Sequence, residues 1–68
     1  MRTWEERYAD AQRHVADGRR AIDHQRSVIS NQKALRLNPQ ASEDLFAAIE
    51  RSQEIFEGNL ARIRKESE

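Results

Sequence analysis

Leu35-Arg36-Leu37-Asn38-Pro39-Gln40-Ala41-Ser42-Glu43 holds the chain's only proline, and it is the one place where turn chemistry interrupts helix chemistry. Pro39 biases Asn38 away from helical angles, which stops any helix arriving from the N-terminal side. Asn38 is also a good N-cap, and Pro39 suits a first helical position, where its missing N–H costs nothing. Ser42, followed by Glu43 and Asp44, is a rival start. The stretch predicts a bend: helix one over about 3–37, a turn at about 38–40, and helix two over about 39–65.

Upstream of the bend, Thr3-Trp4-Glu5-Glu6 fits a capping box, with the Thr3 hydroxyl accepting from the Glu6 amide. Trp4, Tyr8, Ala11, Val15, Gly18, Ile22, Gln25, Ile29 and Gln32 then recur in alternating steps of four and three, which keeps one seam on one side of a helix. Val28 and Leu35 widen it. A helix from Trp4 to Leu37 would be roughly 50 Å long, and one this polar needs a partner for its stripe. Gly18 costs about 1 kcal/mol relative to alanine in a helix, so its place on the seam suggests close approach of a second backbone.

Downstream, Leu45, Ala48, Ile49, Ser52, Ile55, Phe56, Asn59, Leu60 and Ile63 form a broad apolar face, the pattern of a helix with more than one neighbour. Its start is acidic (Glu43, Asp44) and its end basic (Arg62, Arg64, Lys65), as the helix dipole prefers. A hairpin turning at Asn38 would set Ile29 against Ala48, Ile22 against Ile55 and Gly18 against Asn59. It would also set Gln25 against Ser52, as a polar layer able to fix register.

Two helices cannot hide Trp4, Tyr8, Phe46 and Phe56 together, and each large side chain left wet forgoes roughly 1.5–3 kcal/mol. The sequence therefore predicts one all-α domain over residues 1–68: an antiparallel helical hairpin that dimerises into a four-helix bundle. The expected interface is Trp4, Tyr8, Val15, Ile22, Ile29, Leu45, Phe46, Ile49, Phe56 and Leu60, with Gln25 and Ser52 as the register layer. Phe46, slightly off the stripe, leads as an intersubunit contact.

Charge narrows the function. Arg/Lys and Asp/Glu number 12 each, so the net charge is zero, which argues against a general nucleic-acid binder. The halves are unequal: residues 1–37 carry eight Arg/Lys against five Asp/Glu, and residues 38–68 four against seven. Attraction between the halves of the hairpin accounts for this; a weak nucleic-acid site on Arg13, Arg19, Arg20, Arg26, Lys33 and Arg36 is an alternative. With no cysteine, there is no disulfide or thiolate metal site. No run approaches a membrane span and the start lacks an apolar leader core, so a cytoplasmic setting is expected.

His14 and His24 lie ten residues apart on different sides of the helix, without a Glu-x-x-His pair, so no metal site is expected. Asp10 and His14 read as a local pair. Ser27, Ser30, Ser42 and Ser52 have no His-carboxylate arrangement to activate them, and no glycine-rich phosphate loop is present. No enzyme activity and no cofactor are expected.

The runs His14-Val15-Ala16-Asp17-Gly18-Arg19-Arg20, Ile49-Glu50-Arg51-Ser52, Ile55-Phe56-Glu57 and Leu60-Ala61-Arg62-Ile63 resemble short uncharacterised bacterial helical-hairpin proteins. The resemblance spans most of residues 12–64. It implies a free-standing bacterial protein and carries no activity or ligand. The expected function is thus a small self-associating interaction or scaffold module with a homodimeric partner. A regulator that takes a partner protein's helix in its apolar groove is the alternative.

Overall fold

The computed structural model describes residues 3–67, which form two helices, α1 (Trp4–Ala34) and α2 (Gln40–Glu66), packed as an antiparallel hairpin. Thr3 caps α1 as expected: its backbone is extended and its Oγ1 accepts from the Glu6 amide at 3.2 Å. α2 starts one residue later than expected: Pro39, not Asn38, is the N-cap residue and makes no side-chain cap bond, while Asn38 lies just before it with Oδ1 accepting from the Gln40 amide at 3.0 Å. The helical hydrogen bonds of α2 start from the Pro39 carbonyl, which accepts from the Glu43 amide at 2.8 Å.

α1 ends three residues sooner than expected. The Leu37 amide donates to the Gln32 carbonyl at 2.8 Å and the Arg36 amide to the Lys33 carbonyl at 3.1 Å. These are the two bonds of a Schellman cap, which places Arg36 in the left-handed position at φ 59. Glycine is the usual residue there; a side chain costs roughly 1–2 kcal/mol. Pro39 disfavours helical angles at Asn38 and so limits α1 to Leu37 at most; the Schellman turn at Arg36 redirects the chain before that limit.

α1 presents the predicted seam. Ala11, Val15 and Gln25 are buried, and Trp4, Tyr8, Gly18, Ile22, Ile29 and Gln32 half-buried. α2 differs from expectation. Its inward line is Ser42, Phe46, Ile49, Gln53, Phe56, Leu60 and Ile63, all half-buried except Gln53, which is buried. Leu45, Ala48, Ser52 and Ile55 point away from α1 and are exposed. The inward line wins because it carries Phe46, Ile49, Phe56, Leu60 and Ile63, more apolar bulk than the line through Leu45 and Ile55.

The pairings move with it. Gly18 meets Gln53 and not Asn59, and Gln25 donates to the Ser42 carbonyl at 2.9 Å instead of meeting Ser52. Ile55 is 64% exposed, so it does not cover Ile22. The polar residues form no single layer: Gln25 is held near the bend, at Ser42, and Gln53 lies farther along the hairpin, against Gly18 and Val15. Gln53 Nε2 donates to the Val15 carbonyl at 2.9 Å. Gln53 Oε1 and Gln32 Oε1 are buried without hydrogen-bonding partners, a cost of about 1–3 kcal/mol for each such group.

The open end of the hairpin is tied shut. Trp4 Nε1 donates to the Ile63 carbonyl at 2.8 Å, satisfying one of the last carbonyls of α2. The Trp4 ring stacks on Tyr8, with centroids 5.0 Å apart. Arg7 forks onto both carboxylate oxygens of Glu66, at 2.8 and 3.1 Å. Ion pairs Arg19–Glu57 at 3.8 Å and Lys33–Glu43 at 4.0 Å also cross between the helices. Each puts the cation on α1 and the anion on α2, so the unequal halves attract within the chain. These pairs are exposed and worth about 0–1 kcal/mol each.

Candidate interaction surface

A hairpin seam leaves two broad sides, and the helical phase decides what each displays. On one side, Gly18 and Ala21 of α1 run beside Leu45, Ala48, Ile49 and Ser52 of α2, forming an open groove of about 400 Å³. Val28 lies one heptad beyond Ala21, and Ile55 one heptad beyond Ala48, which extends this side by two turns. The groove is closed at one end by Phe56, on which the His14 ring stacks at a centroid distance of 5.2 Å. Its one formal charge is Asp17 at the rim, paired with Arg20.

The other side is charged. Arg19, Glu50, Glu54 and Glu57 surround Ile22, and Arg26, Lys33 and Glu43 surround Ile29 and Phe46. Phe46, expected to stand off the stripe, is half-buried toward α1, and the Arg26 guanidinium lies 5.7 Å from its ring centroid. Its apolar ring is thus partly spent inside the chain, in a cation–π contact.

The expected interface residues divide accordingly. Val15 is 3% exposed and is used up within the hairpin. Trp4, Tyr8 and Leu60 close the open end, and Ile22 and Ile29 face the charged side. Leu45, Ile49 and Phe56 remain on the groove side. Ser52 lies there too, as an exposed residue and not as part of a buried layer. Ala21 and Gln53 had not been singled out as site residues. Gln53 was detectable from its four-three spacing with Ile49 and Phe56, and Ala21 from its phase beside Gly18.

A third groove, at the open end, is lined by Arg7, Asp10, His14, Arg62 and Glu66 among others. Arg7 is held by Glu66, and Arg62 by the Asn59 side chain. Among the described residues, no group of three His, Cys, Asp or Glu side chains could hold a metal ion, and no helix is long and apolar enough to cross a membrane. The cations of α1 are largely matched in place: Arg13 with Asp10 at 3.4 Å, Arg19 with Glu57, Arg20 with Asp17, and Lys33 with Glu43.

The fold and its surface define a small all-α hairpin whose one side holds a groove nearly free of charge, running into charged residues at the open end, and whose other side is charged along its length. No family model matches the chain, and no curated protein or solved structure matches it significantly.

Proposed function

We propose that this protein is a non-enzymatic helical module that acts by self-association, two hairpins pairing into a four-helix bundle that serves protein–protein interaction or scaffolding. The observation that carries this reading is unburied surface. Only Ala11, Val15, Gln25 and Gln53 are buried among the described residues. The 8.0 kDa chain exposes 5329 Å², against roughly 4,450 Å² for a folded monomer of that mass. Its radius of gyration is 15.6 Å, against about 11 Å for a compact domain of this length. A hairpin this thin has its greasy edges in water until something covers them.

The paired cations of α1 weigh against the nucleic-acid alternative, because a phosphate would have to displace carboxylates already in place. A foreign helix in the groove is the second reading, supported by the groove's breadth and exposed leucine and isoleucine. The bacterial kinship and cytoplasmic setting belong to the proposal and rest on the sequence alone. Sedimentation over a range of concentrations, with circular dichroism, tests the reading. A helical dimer without any added ligand is the expected result. A monomer at every concentration overturns self-association, and helix gained only with a partner peptide would favour the second reading.

A further inference from the structure

We infer that the groove side, centred on Ala21, Leu45, Ala48 and Ile55, is where a second copy of this chain docks, leaving the charged side in solvent. This deepens the self-association reading and rests on it.

Three observations select this side and this occupant. The first is desolvation. Docking on the charged side would bury Arg19–Glu57, Lys33–Glu43 and the neighbouring Glu50 and Glu54, and buried ions cost more than their pairing returns unless every lone pair is satisfied. Of formal charges, the groove on the other side holds only Asp17, already paired with Arg20; the charges of that side, Arg7, Asp10, Arg62 and Glu66, lie toward the open end, past His14 and Phe56. Leu45 and Ile55, at 52% and 64% exposed, are the large apolar side chains of α2 that the hairpin leaves wet, and both lie on the groove side.

The second is shape. Large Leu45 stands beside small Ala21 and Ala48 in the groove, and Ile55 follows Ala48 one heptad along the same face of α2. A two-fold axis brings the same patch from both copies together, so the knobs of one copy meet the alanine hollows of the other. The patch satisfies itself. Its one formal charge, Asp17 at the rim, is already paired with Arg20, so little charge is left free by which an asymmetric partner would be selected.

The third is area. The chain exposes about 900 Å² more than a compact monomer of its mass would. A standard protein–protein interface covers about 800 Å² on each partner. One copy on one side removes the excess, and a second interface on the opposite side is not needed.

The test places one charge on each side at positions exposed in the hairpin, so that the monomer should tolerate both. Ala48→Glu should raise the dimer dissociation constant by about a hundredfold or more, while Ser30→Glu on the charged side leaves it within a few-fold. Retention of the dimer by Ala48→Glu together with its loss in Ser30→Glu overturns the side assigned and leaves self-association standing. A wild-type chain that never dimerises overturns both. Because the chain has no cysteine, spin labels on Ala48→Cys and Ser30→Cys give a readout that does not depend on a folded charge variant. The distance between copies should be the shorter one for Ala48; the reverse order overturns the assignment.

Discussion

Gly18 and Gly58 are both interior helix glycines, and helix propensity assigns each the same cost of about 1 kcal/mol relative to alanine. Their surroundings are opposite. A Cβ built on Gly18 would collide with Gln53 Oε1 and come within 2.7 Å of its Cδ, whereas a Cβ on Gly58 would meet nothing within 4 Å. At Gly18 the missing side chain is a socket: the Gln53 carboxamide lies in it and reaches past it to the Val15 carbonyl. At Gly58 the missing side chain is only a weakness. A propensity scale cannot separate the two; what the facing helix brings to the spot does.

The difference can be broken most forcefully at the socket. Gly18→Leu should destabilise the hairpin by about 2–3 kcal/mol, because a branched side chain must expel Gln53 and part the helices. Urea unfolding followed by circular dichroism reads it, and a loss smaller than about 1 kcal/mol would deny the close approach. A double-mutant cycle comes next. Gly18→Ala alone should gain nothing, its helix advantage being cancelled by the displaced Gln53. In a Gln53→Ala background the same change should stabilise by about 1 kcal/mol. Equal effects in both backgrounds would mean that Gln53 is not the occupant. The smallest effect belongs to Gly58→Ala, which should raise stability by up to about 1 kcal/mol whatever occupies position 53.

How much of this could be read beforehand follows from the same residues. The α1 seam was legible because its polar members, Gln25 and Gln32, fall among Trp4, Tyr8, Val15, Ile22 and Ile29 in strict four-three steps. On α2 the equivalent line, Ser42-Phe46-Ile49-Gln53-Phe56-Leu60-Ile63, has the same steps. Its centre is a glutamine, so apolar spacing alone does not mark the line. The broader apolar stripe includes Leu45 and Ile55, and a register set by that stripe pairs Gln25 with Ser52. The early end of α1 was not legible, since nothing about Arg36 announces a left-handed residue; only the constraint from Pro39 three residues on hints at it. Of the surface proposed for docking, Leu45, Ile49 and Phe56 were in view from the sequence. Setting Phe46 inside the chain required the helix phase of α2, which spacing alone did not fix.

The bond from the Trp4 indole to the Ile63 carbonyl sits at the free ends of the hairpin, between partners 59 residues apart in the chain. Trp4 is the only tryptophan, so its emission reports on that clasp alone, while far-ultraviolet ellipticity sums over both helices. A zipper whose tips part before its hinge melts would redden in fluorescence while its ellipticity still held, and one that opens all at once would give superimposable curves. Nature has thus wired a gauge to the tip of this molecule, and a fluorimeter suffices to read it.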